Sequence, residues 1–281
     1  VIRAALVLAA MALLVGCTDD TEPASTSVTT TSAASATAPS TTPQPPTTPP
    51  TSVESQPLPG GSLEVLVVGD SVMFDAEAGI AAALTATGAA TVRNGAVFGL
   101  GFSDEAGIPF AGAADDLLTG EPVEQVVVMI GSWDHIAAQR DPDAYADQVA
   151  AGLDRLAADG RSLLVLGEPP SRPDKGEETV RAVVNQTLEA AVAEAPGARF
   201  VSTDTVIGDA RGRFLMTGPD GLLRKPDGRH LCPAGATRFG TAVLTELQLV
   251  WELPDVDPVW ALGPWRDDPR YDDPAGACPD A

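Results

Sequence analysis

The stretch Leu63-Glu64-Val65-Leu66-Val67-Val68-Gly69-Asp70-Ser71 decides the fold class of this chain. Its apolar run is too short for a long helix, and its β-branched content suits a strand covered on both faces. Working outward, Gln125–Ile130 (QVVVMI), Leu163–Leu166 and Arg199–Ser202 read the same way, and Thr91-Val92 reads as a short second strand. Between them lie helical patterns. One runs from Asp75 to Thr87, with Ile80 and Leu84 on one face. A second opens at Asp141-Pro142 and carries Tyr145, Val149, Leu153 and Leu156. A third spans Glu177 to Ala195, with Val180, Val183, Val184, Leu188, Ala191 and Val192 on its buried side. The last opens at Pro233 and carries Phe239, Val243, Leu244, Leu247 and Trp251. Asp before Pro is a helix start, and Gly88, Gly160 and Pro196-Gly197 are stops. Strands alternating with helices predict an α/β fold, a three-layer α/β/α sandwich with a mostly parallel sheet.

Such a sheet places ligand sites beyond the carboxyl ends of its strands. Ser71 stands there. Near the far end of the chain comes Pro226-Asp227-Gly228-Arg229-His230-Leu231, which offers an imidazole to take a serine proton and a carboxylate to orient it. Ser71 read alone serves equally as a helix N-cap, and Asp70 as a cap or loop brace. His135 is either a pocket-lining or a solvated loop residue. Arg172 is a surface arginine or a contact for a polar substrate.

Composition narrows the class. The chain has 281 residues, with 17 Lys+Arg against 39 Asp+Glu, a net charge of −22. That balance argues against nucleic acid as a partner. There is no CxxC, no HExxH and no histidine pair at ligand spacing, so neither a metal nor another cofactor is expected.

Residues 1–17, VIRAALVLAAMALLVGC, place Arg3 before an apolar run from Ala4 to Val15. The run falls short of the roughly 20 residues a membrane span needs and fits the core of an export signal. Leu14-Val15-Gly16-Cys17 is similar to a bacterial lipobox, which implies a signal peptide over 1–17 and lipidation at Cys17. Residues 18–61, rich in Thr, Ser and Pro, read as a disordered tether. Residues 62–253 form the folded domain, and 254–281 an irregular C-terminal wrap. With Cys17 lipidated, Cys232 and Cys278 are left, and in an exported protein they are expected to pair.

The blocks along residues 63–251 resemble the SGNH (GDSL-type) hydrolase superfamily. Gly69-Asp70-Ser71 matches its first block, Asn94 with Gly99 its second, and Asp227 with His230 its last. The resemblance implies Ser71 as nucleophile, His230 as base and Asp227 as the orienting acid. It also implies an oxyanion site built from the backbone N–H groups of Ser71 and Gly99, with Gly101 a nearby alternative. The third block departs: Ile130-Gly131-Ser132-Trp133-Asp134 puts Trp133 where the family pattern has an asparagine, so either its indole N–H replaces the side-chain amide, or the site works with the Ser71 and Gly99 N–H groups alone, or catalysis is weak. The blocks look most like SGNH domains associated with O-acetylation of envelope glycans. With the lipobox-like N-terminus, they imply an extracytoplasmic serine esterase, lipid-anchored to the cell membrane and monomeric, acting on an acylated carbohydrate or another small ester. The rival expectations are an O-acyltransferase with the same three residues and a non-catalytic glycan-binding lipoprotein using Trp133.

Overall fold

The computed structural model describes residues 55–272 and 276–278. The predicted signal peptide, Cys17 and most of the tether lie outside the described residues. Five strands form one sheet: β1 (Leu63–Gly69), β2 (Ala90–Ala96), β3 (Gln125–Met129), β4 (Ser162–Leu166) and β5 (Ala198–Val201). Their order is β2-β1-β3-β4-β5, and every neighbouring pair is parallel.

Alternation along the strands explains the layers. Val65 and Val67 of β1, with Val127 of β3, join one apolar cluster against α1 (Ser71–Thr85) and, later in the chain, the helix Pro233–Gln248. Leu66 and Val68, with Val126 and Val128, face the other way. There they meet α2 (Phe110–Leu118), α3 (His135–Arg140), α4 (Pro142–Ala157) and α5 (Glu178–Glu194). With Pro233–Gln248 as α6, the chain is a three-layer α/β/α sandwich, as expected.

Helices α1 and α6 approach backbone to backbone. A Cβ on Gly79 would lie 2.3 Å from the Ala236 carbonyl oxygen, and one on Gly240 would lie 2.4 Å from that of Gly79. This close approach couples the helix that begins at Ser71 to the helix that begins just after His230.

Four boundaries differ from the sequence reading by three residues or more; one is the end of α6 at Gln248, which leaves Trp251 beyond the helix. Helix α1 starts at Ser71, four residues before the expected Asp75, because the Asp70 side chain accepts the Val72 N–H at 2.8 Å and caps it. Ser71 is therefore the first helical residue and not the cap. Strand β2 runs seven residues, since parallel pairing with β1 extends it through Arg93, Asn94 and Gly95 despite their polarity. The described fold also begins ahead of Ser62: Gln56 forms a parallel bridge to Trp251, donating to Val250 O at 2.7 Å and accepting from Glu252 N–H at 2.9 Å. After Leu253 the chain wraps in short 3₁₀ turns, and Cys232 and Cys278 form a disulfide.

Candidate active site

The site stands at the carboxyl edge of the sheet. Gly69 closes β1 where a Cβ would sit 2.4 Å from the Met129 carbonyl oxygen, so glycine lets the chain turn at once into α1. Asp70 is 2% exposed. One of its oxygens caps α1, and the other accepts the Ser132 hydroxyl. Burial raises the Asp70 carboxyl pKa against the pull of these two donors. Ser71 is thus presented at a helix N-terminus, whose first N–H groups lack intrahelical partners and whose dipole favours negative charge.

The second half comes from a tight turn. Arg224 bridges Leu231 in antiparallel fashion, and Lys225 N–H donates to His230 O at 2.8 Å. Gly228 sits at φ 75°, the left-handed region, as the reversal requires. Asp227 Oδ1 accepts the backbone N–H groups of Arg229 (3.0 Å) and His230 (3.1 Å). Its Oδ2 lies 2.6 Å from His230 Nδ1, and His230 Nε2 lies 2.9 Å from Ser71 Oγ. The structure therefore brings Ser71, His230 and Asp227 into one hydrogen-bonded line. With the Nδ1 proton held by Asp227, Nε2 presents a lone pair to the serine hydroxyl.

Electrostatics keep that line polarised. Burial raises the Asp227 pKa, but the hydrogen bonds from His230 and from the Arg229 and His230 N–H groups outweigh it and hold the group at about 2. The folded value lies below the usual carboxylate value of about 3.9, so the native state gains stability above that pH. The gain is lost as pH falls through 2. Asp227→Asn should accordingly flatten the acid limb of urea-measured stability between pH 4 and 2. An acid limb as steep as wild type would show that the Asp227 hydrogen bonds do not hold its proton affinity down.

The two further expected oxyanion contributors take distinct places. Val97 N–H donates to Gly69 O at 2.8 Å, which sets the Phe98–Gly101 loop beside the end of β1. Gly99 is buried with φ 89°, and among the described residues its N–H has no protein acceptor. Trp133 is 49% exposed, and its six-membered ring lies over Gly107. Ile108, the next residue, donates to Gly99 O at 2.8 Å, so Trp133 overlies the loop that carries Gly99. Asp134, fully buried, ties the same loops together by accepting from the Phe102 and Ser103 N–H groups at 3.0 Å.

Sequence reasoning named His135 and Arg172 but missed their partners and Arg224. His135 is partly buried and pairs with Glu168 at 2.8 Å. Burial opposes its imidazolium, but the Glu168 hydrogen bond and charge raise its pKa above the usual value. A cavity of about 30 Å³ beside Asp227 is lined by Asp70, Ser132, Glu168, Arg172, Arg224 and Arg229, among others. Arg172 donates to Asp174 and to the Pro226 carbonyl, and so braces the turn. Arg224 is buried among carbonyl acceptors, and desolvation lowers its pKa to about 10. Only a tertiary fold could reveal the contacts of His135 with Glu168, Arg172 with Pro226 and Arg224 with Pro170, whose members lie 33 to 54 residues apart. Among the described residues, no three His, Cys, Asp or Glu side chains gather to hold a metal ion.

A family model described as "Protein of unknown function (DUF459)" matches residues 64–246. No curated protein matches the chain by sequence. An aryl esterase from M. smegmatis superposes with a TM-score of 0.52 at 17% identity, over 66% of this chain and 99% of its own. A catalytic mutant of an acetylxylan esterase from Geobacillus stearothermophilus gives 0.52 at 16% identity, over 68% and 97%. A protein assigned to the lipolytic G-D-S-L family from Desulfitobacterium hafniense DCB-2 gives 0.50 at 14% identity, over 66% and 99%. At these identities the likeness establishes a shared fold.

Proposed function

The chain belongs to the family described as proteins of unknown function (DUF459), and from its site we propose a serine esterase of SGNH type that hydrolyses acyl, chiefly acetyl, esters on carbohydrate. The observation that carries this reading is the continuous contact from Asp227 through His230 to Ser71 Oγ, at 2.6 and 2.9 Å. Those distances suit proton transfer, and they speak against a scaffold whose chemistry has decayed.

In the proposed cycle, Ser71 Oγ attacks the ester carbonyl carbon while His230 Nε2 takes the hydroxyl proton. The oxyanion that forms is met by the N–H groups of Ser71 and Gly99. Each such donor is worth about 3–4 kcal/mol in comparable sites. The C–O bond then breaks, and the imidazolium returns its proton to the leaving alcohol. His230 then takes a proton from water as the water oxygen attacks the acyl carbon, the bond to Ser71 Oγ breaks, and the proton returns to Oγ as the acid leaves. Attack by a sugar hydroxyl in place of water would make the chain an O-acyltransferase on the same residues.

The carbohydrate assignment is supported by the exposed rim. Trp133 (49% exposed), Phe98 (46%) and Ile108 (37%) offer apolar surface along the loops that border Ser71. An aromatic face of this kind stacks on the C–H face of a sugar ring, and one fold relative is an acetylxylan esterase. The lipobox-like residues ending at Cys17, with the Cys232–Cys278 bridge, support an exported, lipid-anchored location.

The reading is tested by trapping. A fluorophosphonate probe should label the protein at Ser71, and an acetylated xylo-oligosaccharide should compete with the labelling. Acetate released to water supports the esterase, and acetate recovered on an added glycan supports the transferase. A probe that leaves Ser71 unmodified would defeat both.

A further inference from the structure

Beneath the Ser71–His230 contact lies a charged pair that the acyl chemistry does not consume. Asp75 follows Ser71 by four residues on α1, so the two side chains share a helix face. Asp75 and Lys225 are both 0% exposed. Lys225 Nζ donates to Asp75 Oδ1 at 3.1 Å and to the Arg270 carbonyl at 2.6 Å. The second carboxylate oxygen, Oδ2, accepts the Leu231 N–H at 2.9 Å. Lys225 precedes Asp227 by two residues and Leu231 directly follows His230. One carboxylate therefore grips both flanks of the turn that carries the base and its orienting acid.

Stability alone is a weak reason for such a pair. Desolvating two ions offsets their attraction, and apolar residues of like volume often serve as well or better. Burial indeed raises the Asp75 carboxyl pKa to about 6, against the pull of the Lys225 charge and the Leu231 N–H. What a carboxylate supplies and a methyl group cannot is direction. Two oxygens in one plane, each with its own donor, fix the turn against the helix that bears Ser71. Misplacement of a reacting group by about 1 Å can cost about 10²-fold in rate.

We propose that Asp75, seated on Lys225, is a positioning residue that holds His230 within reach of Ser71 Oγ. The Arg270 carbonyl makes the C-terminal wrap part of that seat. Asp75 touches no substrate and acts through Lys225 and Leu231. The proposal rests on the serine-esterase reading above.

The test compares Asp75→Asn, Lys225→Met and the double variant in the full, disulfide-bonded chain. All are assayed at a temperature where circular dichroism shows each one folded. Each single variant strands a buried partner and should lose both Tm and rate. The double variant removes both charges, and its Tm should return to within a few degrees of wild type. Its kcat should stay at least about tenfold low with KM little changed, and phosphonylation of Ser71 should slow in parallel.

Recovery of kcat along with Tm would overturn the proposal, as would a double variant that never folds, because the pair would then be a folding requirement. The His230 ring-nitrogen NMR shifts supply a readout without turnover. A shift at Nε2 is expected in the double variant, and unchanged shifts would overturn the positioning role. Wild-type protein with no Ser71-dependent reactivity defeats the esterase reading instead, and the NMR comparison still decides the geometry.

Discussion

Ser71→Ala is expected to lower kcat for p-nitrophenyl acetate hydrolysis by at least about 10³-fold while leaving Tm within a degree or two. The size follows from chemistry: without Oγ no acyl-enzyme forms, and what remains is binding plus oxyanion stabilisation of direct water attack. The small change in stability follows from position. Ser71 does not cap its helix, since Asp70 does, and the hydroxyl's described partner is His230 alone. Alanine is also a good helix residue at that place. Equal turnover by wild type and variant would remove Ser71 as nucleophile and with it the proposed function.

The second large effect concerns the bridge. Opening Cys232–Cys278, by reductant or as Cys278→Ser, should cost about 3–4 kcal/mol in urea unfolding, because the bond closes a loop across 46 residues of sequence. The loss should reach the site as well. Cys232 lies two residues beyond His230 and leads into α6, while Cys278 N–H donates to Tyr271 O at 3.1 Å. Tyr271 is buried against Ala78 and Ala236, and its hydroxyl donates to the Asp75 carbonyl at 3.2 Å. A loosened wrap would withdraw the Arg270 carbonyl from Lys225. Reduced protein is therefore expected to show a lower urea midpoint together with a lower kcat. A midpoint unmoved by reduction would mean that non-covalent contacts alone pin the wrap.

Much of this architecture could be read from the chain, and the gaps have physical causes. Strands β1, β3 and β4 are covered on both faces, so their continuous apolar runs declared them. Strand β2 is an edge strand carrying Arg93 and Asn94, and its length is set by pairing with β1 rather than by its own composition. Gly-Asp-Ser looked like loop because its turn chemistry is compact, and the helix begins inside it. Helix α3 is too short, at six residues, to leave a periodic signal. Ser71, Asp227 and His230 were legible because their order and local spacing suffice. Lys225 was not: a lysine beside a turn reads as surface, and its partner Asp75 stands 150 residues away. Ser132 and Glu168 escaped for the same reason, since their partners Asp70 and His135 are close only in space.

The bridge between Gln56 and Trp251 fixes where the chain enters the fold. Trp251 donates its indole N–H to Gln125, the first residue of β3, at 3.0 Å. Entry is therefore at the amino-terminal pole of the sheet, while Ser71 and His230 occupy the opposite pole. A support or label coupled near Gln56 would therefore lie at the far end of the strands from Ser71 and His230.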